Sequence, residues 1–306
     1  MPGALVGGAC FILPGLIVIL ALAALFLGSP PLWVRGAGAG AGAAVAAVAV
    51  QAGLGLLGPA WRRAQRSVRP RFLAYAAAGG VAAALVGSWL VLVLLGCGAV
   101  EVVWRYAAGR IAAVGALHPG VLLAAAATGG LGAVAWVAFK VGALSYGGGF
   151  VIVPLMQQDA VHHYHWMTNG EFLNAVALGQ VTPGPVVHTV AVVGYAAGGL
   201  GGGLLAALVA FAPSFGFVLV GAERFDRLLG NRAVRSFLDG AGPAAIGAIV
   251  GSAVPLGLAL HETWQVVVLA GAAVSLLALR RGVVSTLVVA GAIGVVAVLL
   301  GAPVSR

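Results

Sequence analysis

Leu178-Gly179-Gln180-Val181-Thr182-Pro183-Gly184-Pro185 interrupts an apolar region at about residues 172–198, and its reading decides the fold. The flanking residues are those of a membrane-embedded helix. Pro183 and Pro185 lack backbone donors and break the i→i−4 ladder, which frees carbonyls upstream. Irregular backbone at membrane depth is tolerated only where it is buried in protein or lines a water-filled cavity. The half-helix starting near Pro185 offers its unpaired N–H groups and positive dipole end to an anion. Gln180 and Thr182 add neutral hydrogen-bonding groups. His188 stands one turn into that half-helix, in view of the break. Intramembrane ionisable residues are costly and tend to be functional. Proton coupling is one reading of His188, and a packed neutral ring is the other.

Outward from this break, the chain is almost entirely apolar. Of 306 residues, 62% are hydrophobic and 8% charged, with mean hydropathy +1.10. A soluble domain carries roughly 25% charged residues. This composition excludes a soluble enzyme, a disordered chain and a nucleic-acid-binding domain, so no nucleic-acid partner is expected. Apolar runs near 3–27, 36–59, 72–97, 120–144, 203–221, 237–258, 263–279 and 283–302 each approach the ~20 residues a spanning helix needs. They are continuous and lack the alternation of barrel strands. The expected fold is an all-α polytopic membrane protein, a bundle of about 8–10 spans with two inverted-topology repeats and a broken or re-entrant helix. The 49 glycines suit close helix packing in lipid. Cys10 and Cys97 lie in separate apolar runs and make neither a disulfide framework nor a thiolate metal site. Met1 is followed almost at once by a span, with no basic leader and no plausible cleavage site, so no cleaved signal peptide is expected.

The net charge of +9 sits in arginine clusters between spans. Arg62, Arg63, Arg66, Arg69 and Arg71 form one, Arg224, Arg227, Arg232 and Arg235 a second, and Arg280 and Arg281 a third. The positive-inside rule places all three in the cytoplasm. They share one side if the broken 172–198 region makes a single net crossing, which is the preferred reading. Asp239 is expected to pair with Arg235 at i−4.

Residues from Gly3 to about Ala47 resemble those from Gly202 to about Gly247. Leu5, Pro14, Val34, Arg35 and Ala44 fall on Leu204, Pro213, Val234, Arg235 and Ala244. The loop at 28–35 faces outward and its counterpart at 222–236 inward, the inverted-repeat design of many secondary transporters. The expected organisation is 1–60 as the later part of a first repeat, 61–119 as a basic loop, a linking span and an external segment, 120–260 as a complete second repeat, and 261–306 as a terminal pair of spans. The same offset carries Lys140–Pro185 to positions before Met1. The first copy of the most distinctive region is therefore absent, through genuine shortening or a late start codon.

Phe139-Lys140-Val141-Gly142-Ala143-Leu144-Ser145-Tyr146-Gly147-Gly148-Gly149-Phe150 ends a span with a cation and three glycines. Consecutive glycines let the backbone leave the helix and aim N–H groups at a ligand. Lys140, Ser145 and Gly147 to Gly149 therefore join Gln180, Thr182, Pro183, Gly184 and Pro185 as candidate anion-binding residues. Snorkelling is the alternative role for Lys140. The stretch Gln157 to Trp166 holds Asp159, His162, His163 and His165 without a common zinc spacing, and reads as a solvated cytoplasmic loop rather than a metal site. Thr168 and Glu171 form a capping box for the next helix.

The residues Phe139-Lys140 through Gly149-Phe150, Pro154-Leu155, Trp166, Glu171-Phe172, Leu178 to Gln180, Thr182 to Pro185, Gly194-Tyr195, Pro213-Ser214 and Val234 to Gly240 resemble the chromate ion transporter family. The resemblance covers most of 130–302 and, more weakly, 3–60. It implies a protein of two homologous halves in the bacterial inner membrane that exports chromate using the membrane gradient, with sulfate as a competing oxyanion. By motif match it points to Lys140, Gly147 to Gly149, Gln180 and Thr182 to Pro185. Long members carry both halves in one chain and short members work as pairs, so a homo- or hetero-dimer is among the expected partners.

The leading expectation is a secondary active oxyanion transporter without cofactor or metal. No G-x-x-x-x-G-K-[ST] loop is present for direct ATP drive. An incomplete, non-transporting subunit that needs a partner chain is the alternative. No catalytic constellation sits in the spans, so an enzyme is not expected.

Overall fold

A computed structural model of the chain describes residues 2–64, 68–85, 90–106, 130–145, 150–221 and 230–304. Among these the chain is an all-α bundle. Helices α1 (Pro2–Leu27) and α2 (Leu32–Arg63) are followed by α3 (Arg69–Leu85) and α4 (Leu90–Tyr106). Next come α5 (Leu131–Leu144), the short α6 (Ile152–Gln157) with a π-helical turn (Gln158–His163), and α7 (Asn169–Val181). A 3₁₀ turn (Val186–His188) opens α8 (Thr189–Gly221). Helices α9 (Arg232–Gly251), α10 (Ala253–Leu258), α11 (Thr263–Ala273, extended by a π turn) and α12 (Val283–Leu299) complete the bundle. Among the described residues four apolar stretches reach the length that crosses a membrane, Val6–Leu27, Leu32–Arg63, Val186–Leu219 and Arg232–Leu258, the third of them folded back at Gly198 and Gly199. The chain is a multi-pass membrane protein.

Glycine sets the packing. Gly79 and Gly80 on α3 lie against Ala244, Gly247 and Gly251 on α9, with backbone so close that a Cβ at Gly79 or Gly247 has no room. On α2, alternate glycines serve two neighbours. Gly36 and Gly40 receive Gly294 of α12, while Gly38 and Gly42 receive Asn174 of α7. With no hydrophobic force between helices in lipid, such close backbone contact is what holds them together.

The bundle has two distinct ends. Arg63, Arg105 and Asp239 share a cavity at one. Ser29, Arg35, Glu171, Gln265 and Val304 share a cavity at the other. The described arginines other than Arg35 belong to the first end, which the positive-inside rule assigns to the cytoplasm. Helix α1 and the second arm of α8 run antiparallel, with Gly8 against Phe215 and Gly203 against Leu20. Opposite orientation of the two repeat copies requires this arrangement.

Three sequence expectations change. The run at 72–97 is not one span. It is divided between α3 and α4, whose Tyr75 and Glu101 meet as in an antiparallel hairpin. Apolar composition continues through both helices and hides the division. Nor does the 172–198 region cross once. It begins at Glu171 in the far cavity, breaks, and climbs to a reversal at Gly198 and Gly199, where φ is −154° and 61°. The second arm then descends past Leu20, which lies towards the far end of α1. The region is thus re-entrant, and the described arginines of the three clusters still share one end because the chain reaches Glu171 from the far side. The Gln157–Trp166 stretch changes for the same reason. Gln157, Asp159, Ala160 and Val161 are buried in or beside a π turn, and only His162, His163 and His165 are exposed.

Candidate functional site

Helix α7 starts with the expected capping box: Glu171 N–H donates to Thr168 Oγ1, and Thr168 N–H donates to Glu171 Oε2 at 2.7 Å. It ends where the prolines require. The Thr182 N–H and hydroxyl both donate to the Leu178 carbonyl, at 3.0 and 2.9 Å, so a side chain reinforces the last i→i−4 bond of α7 before Pro183 ends the ladder. Gly184 takes φ +134°, a value that L side chains rarely adopt. Pro185 is extended, and the 3₁₀ turn begins at Val186. Its first N–H groups point back at the Thr182–Pro185 turn, as at any helix start. The reversal brings Gly179 against Thr189. Ten residues of unbroken helix would separate those two by about 15 Å.

The turn lies on α1 beside that helix's own proline. The Pro183 carbonyl packs directly on Gly15, next to Pro14. Pro183 and Gly184 are exposed while Thr182 is buried. His188 is fully buried, and neither ring nitrogen has a hydrogen-bond partner. Its ring contacts the Gly15 and Gly184 positions and stands edge-on to Phe211, centroids 5.4 Å apart. Phe211 is two residues before Pro213. His188 is therefore wedged between the proline regions of α1 and α8, the two positions that the sequence repeat equates. Gln180 also carries a buried Nε2 without a partner.

The other candidates lie on neighbouring elements. Lys140 Nζ is ion-paired with Asp159 Oδ2 at 2.5 Å and sits 5.6 Å from the Trp136 ring centroid. Ser145 is the C-cap of α5. Gly147, Gly148 and Gly149 lie outside the described residues. Helix α5 packs along α8, the helix into which the broken turn leads, so α8 is the element common to both motifs. Asp159 is the partner of candidate residue Lys140 that the sequence reading missed. The available signal was the lone Lys140 inside an apolar run, since buried charges at membrane depth are found paired, with Asp159 the first carboxylate that follows it in the chain.

Residues 132–298, more than half of the chain, match the family described as Chromate transporter. This chain belongs to that family. Over 160 residues it is 38% identical to the chromate transport protein of Cupriavidus metallidurans, a stretch covering 52% of this chain and 40% of that one. It is 36% identical over 138 residues to a probable chromate transport protein of Synechococcus elongatus, covering 45% and 35% of the two chains. It is 34% identical over 123 residues to the chromate transport protein of Pseudomonas aeruginosa, covering 40% and 29%. The matches thus span 40% or less of each of these relatives. No solved structure matches the chain. Both the broken turn and the Lys140–Asp159 pair fall within the family match, whereas α1 to α4 all precede it.

Proposed function

We propose that the protein is a secondary active transporter that exports chromate, with sulfate as a competing oxyanion, across the bacterial inner membrane. The observation that carries this reading is the re-entrant turn. It has an exposed Pro183–Gly184 tip, a half-helix start aimed at it, and a buried, unpartnered His188 wedged between α1 and α8. The Val186 and Val187 amides and the Gln180 carboxamide supply neutral donors to an oxyanion at the tip, while Thr182 holds the end of α7 in place below it. Gly184 and the prolines keep the backbone open there. Lys140 and Ser145 contribute from α5, where Lys140 exchanges Asp159 for the substrate, and Gly147 to Gly149 keep the anion-binding role that their sequence motif implies. His188 carries the coupling proton. The two inverted copies, 1–60 and the latter part of 120–260, rock about the turn to alternate access.

Everted membrane vesicles test the proposal with labelled chromate. Vesicles containing the chain should accumulate several times more chromate than empty-vector vesicles, and a protonophore should abolish the difference. Added sulfate should compete. Accumulation equal to the vector control in both the presence and absence of a co-expressed second family chain would refute transport. Accumulation only with the second chain would assign the activity to a hetero-dimer. His188→Gln should retain chromate–chromate exchange and lose the response to a pH gradient.

A further inference from the structure

The far-end cavity, about 460 Å³ in volume, lies apart from the broken turn and the Lys140–Asp159 pair. It opens between the α1–α2 turn, the start of α7, the α10–α11 turn and the tail after α12. Its polar lining is Ser29, Arg35, Glu171, Asn174 and Gln265. Arg35 is the one basic side chain of Lys or Arg type described at this end. Only one of its donors is engaged in a hydrogen bond given by the structure, Nη2 to the Val304 carbonyl at 3.2 Å. The Gln265 Oε1 accepts from the backbone of His261 and Glu262, which leaves its NH₂ as the group with donors to offer. Asn174 has a buried Oδ1 with no partner, and a half-turn of its carboxamide presents the NH₂ there instead. Gly42 faces Asn174 with no side chain, so the floor stays clear.

We infer that this cavity is a weak oxyanion site at the non-cytoplasmic mouth, with Arg35 as its anchor. The inference rests on the transport reading. A planar guanidinium flanked by two carboxamides suits a small tetrahedral dianion such as chromate or sulfate. Glu171 sets the affinity low. Its Oε2 is held by Thr168, but its charge still opposes an anion, as a release site requires. The repeat adds an independent argument. Arg35 and Arg235 occupy equivalent positions in the two copies, and they lie at opposite ends of the bundle. Inversion thus provides one arginine of this pair for each mouth.

Two measurements decide the matter, with Arg35→Gln, Arg35→Lys and Trp264→Phe as variants. Trp264 Nε1 donates to the Pro303 carbonyl, so its loss loosens the same tail that Arg35 holds without altering the cavity charge. The first measurement is equilibrium dialysis of labelled sulfate against the purified full chain. A charge-assisted hydrogen bond of about 1.5–3 kcal/mol corresponds to roughly a tenfold or greater loss of affinity in Arg35→Gln. Arg35→Lys should recover part of that loss, and Trp264→Phe should bind as wild type. The second uses oriented proteoliposomes, in which chromate added at the Arg35 face inhibits flux. Arg35→Gln should raise the half-inhibiting concentration about tenfold on that face and leave it within about twofold on the other. Unchanged sulfate binding in Arg35→Gln, or an equal loss in Trp264→Phe, overturns the inference. Arg35-dependent binding without any chromate flux would keep the site and refute the transport reading.

Discussion

Lys140 and Asp159 form an ion pair between α5 and the π turn that follows α6, with Asp159 buried and Lys140 about three-quarters so. Removing one partner from such a pair leaves the other charge uncompensated, at a cost of about 3–5 kcal/mol. Lys140→Met and Asp159→Leu should each lower the stability of the detergent-purified protein by that order. The double variant should recover most of it, because neither charge then remains. Thermal unfolding of the four proteins as a double-mutant cycle measures the coupling. Additive losses would show that the pair is not an energetic unit.

The α3–α9 seam makes a sharper packing prediction. Gly247 has the Ala76 backbone where its Cβ would lie, and Gly55 on α2 has open space. Gly247→Ala should destabilise by about 1–3 kcal/mol through overpacking. Gly55→Ala should stabilise by roughly 0.5–1 kcal/mol through helix propensity alone. Opposite signs from one chemical change, read as shifts in unfolding midpoint, test whether α3 and α9 approach as closely as described.

Much of this architecture was legible because its causes are local. Pro183 and Pro185 cannot donate wherever they stand, and Thr168 with Glu171 three residues later caps a helix regardless of context. The repeat offset pointed to antiparallel α1 and α8 arms because Pro14 and Pro213 mark the same turn of each helix. What escaped was non-local. The side from which α7 enters depends on how α5 and α6 lead into it, which hydropathy does not encode. Apolar residues run from α3 into α4 without a charged break. Asp239 has a partner within reach on its own helix, Arg235 at i−4, and a second in Arg105 of α4, which its carboxylate meets at 2.9 Å. Only the packing of α4 on α9 supplies that alternative.

Gly184 allows the broken turn to be tested without removing a proline. Its φ of +134° is strained for any L side chain, and a Cβ there would stand 2.6 Å from the His188 ring. Gly184→Ala should cost about 1–3 kcal/mol from the backbone alone. It should also displace His188, so chromate flux should fall more than protein abundance does. Immunoblotting alongside vesicle flux separates the two effects. A variant with normal flux per molecule would mean that the geometry of the turn is irrelevant to transport.

Glu101 provides the last prediction, in a region that precedes the family match. The carboxylate is fully buried between α3, α4 and α9, and accepts from Arg105 Nε at 2.7 Å and from the Tyr75 hydroxyl at 3.0 Å. Arg71 lies 3.6 Å away, and Arg105 reaches on to Asp239. Glu101 is thus the acceptor that lets three helices meet at the cytoplasmic end. Glu101→Gln keeps the shape and loses the charge, leaving two guanidinium groups facing a neutral amide. Its cost should approach the ~3–5 kcal/mol of a broken buried pair. Tyr75→Phe removes one neutral donor to a charged acceptor and should cost about 1.5–3 kcal/mol. Asp239→Asn weakens only the outer, half-exposed pair, where solvent screening holds the loss to about 1 kcal/mol or less. The order Glu101, Tyr75, Asp239 in unfolding midpoints follows from burial. If Asp239→Asn were the most damaging of the three, the lock would be centred on α9 instead of α4.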